Sequence, residues 1–175
     1  MHDAKSPHRP PVPRPQIQYP PVEPERHFMS TDVSQAHAYA VSPRRVLRAL
    51  TDADELAAWF GPRGVRVLVE SVALEARVGG SWRLALEGDA ERITVDGTLR
   101  TYAVPHLLEV EQQVAGVVGL KRDILLHLRL ELAETTAGCE LRVTHGPFPP
   151  VVLDDAESMW SQSLQRLETL VTPPR

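Results

Sequence analysis

Hydrophobic residues recur at two different spacings along this chain of 175 residues. Between Val65 and His145 they alternate with polar residues, which is the two-residue period of a strand with one buried face. On either side of that region they recur every three to four residues, as they do in an amphipathic helix. The pattern therefore predicts a central sheet that is preceded and followed by helices.

The predicted elements before the sheet are one strand and two short helices. Residues 34–41 alternate as a strand does. Ser42 supplies an N-cap hydroxyl and Pro43 a proline at the first helical position, so a helix begins there. A second helix follows almost at once and ends at Gly61 and Pro62.

Six antiparallel strands are predicted between these helices and the last one. Glycine-bearing turns separate the strands at short intervals, as in a meander of hairpins. Each strand has one apolar and one polar face, so one side of the sheet should meet the core. The predicted strands are residues 65–74, 82–87, 93–101, 106–114, 124–132 and 139–145.

A long amphipathic helix is predicted near the end of the sequence. Asp154 can cap it, with Glu157 at the third position as in a capping box, and Pro173 with Pro174 stops it. Its apolar stripe consists of Met159, Trp160, Ser163, Leu164, Leu167, Leu170 and Val171. A twisted sheet of about seven strands curls enough to cover such a stripe, which predicts an α+β fold with the sheet wrapped around this helix.

Residues 1–33 differ in composition from the rest of the chain. Eight of the 16 prolines lie there, and such a stretch cannot propagate a helix or a sheet ladder. It contains no continuous apolar run behind a basic start, as a cleaved signal peptide would. We therefore expect a Pro-rich disordered leader at residues 1–33, one domain at residues 34–175, and a cytoplasmic location.

Charge and cysteine content exclude several kinds of partner and site. A formal charge of −4 gives no basic surface for nucleic acid, and no apolar run approaches the roughly 20 residues that span a bilayer. The single cysteine forms no disulfide within the chain, and no clustered Cys/His spacing predicts a metal site. We expect no cofactor, no metal, no nucleic acid and no membrane partner.

One group of side chains should converge between the sheet and the last helix. These side chains either pack as a solid core or line an apolar pocket with few polar groups, as ligand sites typically are. Ser163 favours the pocket, because a hydroxyl in an apolar stripe otherwise needs a buried partner. The candidate ligand-binding residues are Trp82, Leu84, Leu126, Leu128, His145, Met159, Trp160, Ser163 and Leu164.

His145 is the one candidate for catalysis that the sequence offers. It is in phase with the apolar residues of the last strand, where an imidazole could bind a ligand or transfer protons near neutral pH. The alternative, which the general pairing of buried polar groups favours, is a structural histidine bonded to a backbone carbonyl. Cys139 shares the inward phase but lies about 20 Å away along the strand, so we expect a buried, inert thiol.

Several segments of the chain resemble one known superfamily. They are residues 46–52 (VLRALTD), 55–56 (EL), 59–62 (WFGP), 78–82 (VGGSW) and 141–145 (LRVTH), with Trp160, Leu164 and Leu167. Together they spread over residues 34–172 and resemble the SRPBCC (START-like, helix-grip) superfamily, in the branch named after activators of the Hsp90 ATPase. Leu47 and Met159 depart from the pattern, since many members carry Trp and Gly at those places.

The resemblance implies a helix-grip cavity that often takes an apolar small molecule, and it implies no common catalytic residues. The primary hypothesis is non-catalytic binding or carrying of a small hydrophobic or amphipathic ligand. One alternative is a polyketide cyclase or dehydratase-like enzyme that uses His145 as acid and base. Another is a co-chaperone for an Hsp90-type ATPase, with a role in stress response. Residues 114–120 (VAGVVGL) could form a lid, a homodimer contact or an extension of their strands.

Overall fold

The computed structural model describes residues 31–173. Residues 1–30 of the predicted leader lie outside the described residues, so the division into leader and domain stays a prediction. In chain order the elements are β1 (Val33–Tyr39), α1 (Pro43–Thr51), α2 (Ala53–Trp59), β2 (Arg66–Val67), a 3-10 turn (Val69–Ser71), β3 (Ala73–Leu74), β4 (Ser81–Glu87), β5 (Arg92–Ala103), β6 (Leu107–Ala115), β7 (Ile124–Thr135), β8 (Gly138–Gly146) and α3 (Pro150–Val171). Among residues 31–173, no helix has the length and apolar character needed to cross a bilayer.

The strands form one curled antiparallel sheet in the order β1-β8-β7-β6-β5-β4-β2, and β3 also pairs with β4. Buried and exposed residues alternate along β6 and β7, so one face of the sheet is turned inward. The long helix α3 buries one side against this face. The predicted α+β fold, with two short helices after the first strand and a sheet wrapped around the last helix, is confirmed.

Side-chain caps explain why the two short helices begin where they do. The Ser42 hydroxyl accepts a hydrogen bond from the Arg45 amide at 3.3 Å, and Pro43 occupies the first turn. One residue after α1, the Asp52 carboxylate accepts from the Glu55 amide at 3.0 Å and begins α2. Each cap satisfies an amide that has no partner inside its own helix.

The predicted strand at residues 65–74 is not continuous, and that prediction was wrong. Two strands of two residues each, β2 and β3, are separated by the 3-10 turn. The Ser71 hydroxyl accepts from the Ala85 amide of β4 at 2.8 Å and donates to the Leu68 carbonyl at 2.6 Å. A side chain thus replaces a backbone partner in the ladder, which apolar alternation alone does not reveal.

The last helix begins five residues earlier than the capping pattern predicts. Pro150 is its first residue and Pro149 its N-cap, so Asp154 does not cap the helix. Proline fits the first turn because the amide that it lacks would have no partner there. The added residues 150–154 extend the buried stripe by Val152.

Candidate functional site

A cavity of about 740 Å³ lies between the sheet, the end of α2 and the first half of α3. Its walls are mostly apolar, and the sheet contributes to them from the inner faces of β4 to β8. All three tryptophans of the chain line it, namely Trp59, Trp82 and Trp160. Protein cavities that take small molecules are commonly of this size and this composition.

Seven of the nine predicted ligand-binding residues line this cavity. They are Trp82, Leu84, Leu126, Leu128, His145, Met159 and Trp160. The strand residues reach it because alternate side chains of a strand share one face. The helix residues reach it because α3 turns this side toward the sheet.

Ser163 and Leu164 are buried but do not line the cavity. The Ser163 hydroxyl accepts from the Gly61 amide at 3.0 Å and donates to the Gly61 carbonyl at 3.3 Å. The buried hydroxyl therefore has its partner in the protein, and Ser163 joins α3 to the end of α2. The Leu164 carbonyl accepts from the Tyr39 hydroxyl of β1 at 3.2 Å, on another part of the helix surface.

Two more residues of α3 bind the backbone at the end of α2 and just after it. The Arg166 guanidinium donates to the carbonyls of Gly61 and Ala58, both at 3.0 Å. The Gln162 side chain accepts from the Arg63 amide at 2.9 Å. Because α2 ends with unpaired carbonyls, a guanidinium at this position satisfies the backbone there. The wall of the cavity formed by the end of α2 is thus fixed to α3.

His145 is the buried polar group at the centre of the site, with 5% of its surface exposed. The Trp160 indole donates a hydrogen bond to its Nδ1 atom at 2.9 Å, and the Gln112 side-chain amide lies 2.5 Å from its Nε2 atom. The rings of Phe148 and Trp160 pack edge-on against it. Burial lowers the pKa of His145 to about 3, so the imidazole is neutral at neutral pH.

Gln112 is a site residue that the sequence analysis missed. It is 3% exposed, lines the cavity, and stands on β6 in phase with the buried residues Leu108, Val110 and Val114. A glutamine in the apolar phase of a strand is a detectable signal, because a buried amide needs a partner or a role. Gly97 pairs with Gln112 from β5 and has no side chain that could crowd it. A Cβ atom at Gly97 would lie only 3.1 Å from the Cβ atom of Gln112.

Charged and apolar residues frame the side of the cavity that meets solvent. Arg63, Asp89, Glu91 and Asp155 line it, giving three carboxylates and one guanidinium. Val118, in the loop between β6 and β7, also lines it and is 63% exposed. The cavity therefore opens to solvent between the β4–β5 turn, the β6–β7 loop and the beginning of α3.

Other reactive groups stand apart from this cavity. Cys139 is fully buried outside its lining, and burial raises the pKa of its thiol. Among residues 31–173, no three His, Cys, Asp or Glu side chains come together in a way that could hold a metal.

Solved structures with the same fold come from several bacteria. A protein from Chromobacterium violaceum has a TM-score of 0.74 at 23% identity, over 83% of this chain and 100% of that chain. A solution structure from Arthrobacter aurescens has a TM-score of 0.69 at 16% identity, over 83% and 88%. The AHSA1 protein from Silicibacter pomeroyi has a TM-score of 0.67 at 20% identity, over 79% and 95%. At these identities the likeness establishes the fold alone.

A comparison with curated proteins found no match. A family model described as activator of Hsp90 ATPase homolog 1-like protein matches residues 40–172, which is most of the chain and includes every residue of the cavity named above. The sheet that wraps around α3 and the structures with the same fold agree with this match. The chain therefore belongs to the activator of Hsp90 ATPase homolog 1-like family of the START-like (SRPBCC) superfamily.

Proposed function

We propose that this protein binds a small, mainly apolar molecule in the cavity between the sheet and α3. The observation that carries the proposal is the space itself, about 740 Å³ with a mostly apolar wall. Protein interiors normally close-pack to a density that leaves few voids larger than a water molecule. An opening of this size is therefore an exception to core packing, and a ligand would account for it.

The apolar side chains of the wall support the same proposal. Ile93, Val95 and Ile124 point inward from the sheet and line the cavity, yet they are only partly buried. Covering apolar surface stabilises by roughly 25 cal/mol for each Å² removed from water. A ligand with an apolar body gains this contribution from a wall that is already formed.

Binding is favoured over proton transfer by His145. Trp160 holds one of its ring nitrogens and Gln112 the other, and its pKa of about 3 lies far from the near-neutral value of an efficient acid or base. The predicted cyclase or dehydratase-like activity through His145 would need both hydrogen bonds to break. We therefore place His145 among the residues that shape the wall.

A co-chaperone role rests on the family description alone. It stays a prediction, together with the cytoplasmic location and the role in stress response. The direct measurement is the ATPase rate of an Hsp90-type chaperone with and without this protein. A rate that the protein leaves unchanged would remove the co-chaperone role and leave ligand binding untouched.

The test of the proposed function is titration with Nile red, an uncharged apolar dye. We expect saturable binding that weakens roughly tenfold or more, the equivalent of about 1.4 kcal/mol, when Val95→Trp fills the cavity. Val78→Trp is the matched control, because Val78 is 62% exposed and stands outside the lining. Dye binding that is absent in the parent, or equal in all three proteins, would contradict a ligand site between the sheet and α3.

A further inference from the structure

The hydrogen bonds around His145 determine where its proton lies. An indole N–H only donates, so Nδ1 of His145 accepts from Trp160 and carries no proton. A neutral imidazole keeps one proton, which must then be on Nε2. Nε2 of His145 is therefore a donor, and the Gln112 amide 2.5 Å away has to present an acceptor to it.

This requirement fixes the direction of the Gln112 amide. Its nitrogen only donates, whereas its oxygen accepts, and the hydrogen-bond network decides which of the two stands at a given position. The structure has the Gln112 amide nitrogen 2.5 Å from Nε2 of His145, where two donors would face each other. We therefore assign the flipped amide, in which the Gln112 oxygen faces the imidazole. The amide nitrogen then points the other way, with two N–H groups to place.

The other end of the amide meets the cavity. Gln112 has no hydrogen bond to any side chain of residues 31–173 other than His145. Among residues 31–173, every fully buried side-chain nitrogen or oxygen has a hydrogen-bond partner. Since the free end of the Gln112 amide has no such partner, it is not fully buried. Because Gln112 lines the cavity, that end is a hydrogen-bond donor on an otherwise apolar wall.

The charges around the cavity decide what kind of acceptor suits this donor. Gln112, neutral His145 and Trp160 are the buried polar groups of its lining, and none is a cation. The ionisable groups at its open side are three carboxylates and one guanidinium. Burying an anion without a cation to pair with it is costly, so a neutral acceptor fits and a carboxylate does not.

We infer that the ligand carries a neutral acceptor oxygen, such as that of a ketone, within an apolar body, and that Gln112 donates to this oxygen. The inference rests on the proposed function and specifies the chemistry of the same cavity. His145 and Trp160 act as positioning residues, since they orient the amide through the chain of hydrogen bonds. Gln112 is the residue that determines specificity.

The test uses two probes of the same shape, 2-acetylnaphthalene and 2-isopropenylnaphthalene, which differ in a C=O against a C=CH₂ group. Their affinities are measured by displacement of Nile red from the whole chain. A neutral hydrogen bond favours the ketone by roughly three- to tenfold in the parent protein. Gln112→Met should bring the ratio close to one, because it keeps the volume and removes the amide.

Gln113→Met is the matched control. Gln113 is the next residue on β6, exposed on the outer face, and donates to Asp123 at 2.9 Å. This variant should keep the parent's preference for the ketone. As a measurement that needs no folded variant, the side-chain amide signals of Gln112 in ¹⁵N-labelled parent protein should shift with the ketone and not with the alkene.

The outcomes separate this inference from the proposed function. Equal affinity for ketone and alkene, or a preference that survives Gln112→Met, would overturn the role of Gln112 and leave the apolar site in place. Tighter binding of 2-naphthoate than of the ketone would overturn the neutral class of ligand. Failure of Nile red and of every naphthalene probe to bind would overturn the proposed function, and this inference with it.

Discussion

At the scale of single residues, the buried imidazole of His145 links the interior to pH. Its ring donates and accepts inside the protein, so it has no place for a second proton while both hydrogen bonds persist. In the unfolded chain the same ring takes up a proton near pH 6.5. Protonation of this ring therefore favours the unfolded state as the solution becomes acidic.

We predict that the free energy of unfolding falls as the pH drops below about 6.5. The unfolded state binds a proton there, whereas the pKa of about 3 keeps folded His145 neutral. The stability is fully present above pH 6.5 and is lost as the pH falls toward 3, with a slope approaching 1.4 kcal/mol per pH unit. Urea unfolding at pH 7, 6 and 5 measures it.

The variant His145→Gln should flatten this slope, and His127→Gln should not, because His127 is exposed on the outer face of β7. The pKa values of unperturbed carboxyl groups, about 3.9 for Asp and about 4.3 for Glu, lie below the interval from pH 6.5 to 5. The hydrogen bond from Arg129, for example, lowers the pKa of Glu131. Identical slopes in the parent and in His145→Gln would show that the imidazole is not the group responsible.

The sequence predicted well which side chains of a strand face inward, and poorly which side chains they contact. The alternation of β8 placed His145 inward, and the structure puts it there. That alternation could not show that Trp160 and Gln112 meet it, since these residues are 15 positions after and 33 positions before it. Side-chain partners so distant in sequence depend on the register of the sheet and the rotation of α3.

At the scale of elements, Ser163 shows how one hydroxyl connects two helices. It holds both backbone groups of Gly61, whose φ of 107° lies in the region that favours glycine. Together with Arg166 it holds the end of α2 against α3. The polar residue in the apolar stripe thus has a structural partner, and the pocket is built beside it.

We predict that Ser163→Ala lowers the free energy of unfolding by about 1–3 kcal/mol, because the buried Gly61 amide loses its acceptor. Ser161→Ala, on the exposed side of the same helix, should change it by less than about 0.5 kcal/mol. Urea unfolding of the two variants and the parent makes the comparison. Equal effects of the two substitutions would mean that the Gly61 contact does not stabilise the fold.

Element boundaries were the part of the fold least open to prediction. The apolar alternation of residues 65–74 conceals the Ser71 hydroxyl that interrupts the ladder. The predicted start of α3 was wrong because Asp154 is a typical N-cap residue, whereas Pro149 and Pro150 are residues that commonly interrupt a helix. Proline both ends and begins helices, and only the path of the preceding strand decides between them.

At the scale of the whole molecule, the fold followed from the sequence because two periods and a final amphipathic helix allow few layered arrangements. The empty volume could not follow in the same way. It depends on how far the curl of the sheet holds α3 from β4 and β5, a distance set by many side chains together. The homodimer contact through residues 114–120 stays a prediction, although Val117 and Val118 of that segment line the cavity.

A ligand in this position should stabilise the whole fold, because the cavity exists only when the sheet and α3 are assembled. We predict that 2-acetylnaphthalene at 100 times its dissociation constant adds about 2.7 kcal/mol to the free energy of unfolding. Thermal unfolding with and without the ketone detects this as a rise in Tm. The filled variant Val95→Trp should show no such rise, and a rise of the same size there would place the ketone elsewhere.

The position of the tryptophans has a practical consequence. Since Trp59, Trp82 and Trp160 are the only tryptophans in the sequence and all three line the same cavity, the tryptophan fluorescence of the native protein originates at the walls of the proposed ligand site. Filling of the proposed site should therefore change this fluorescence, so unlabelled protein can be screened against a fractionated extract before any candidate compound has been chosen.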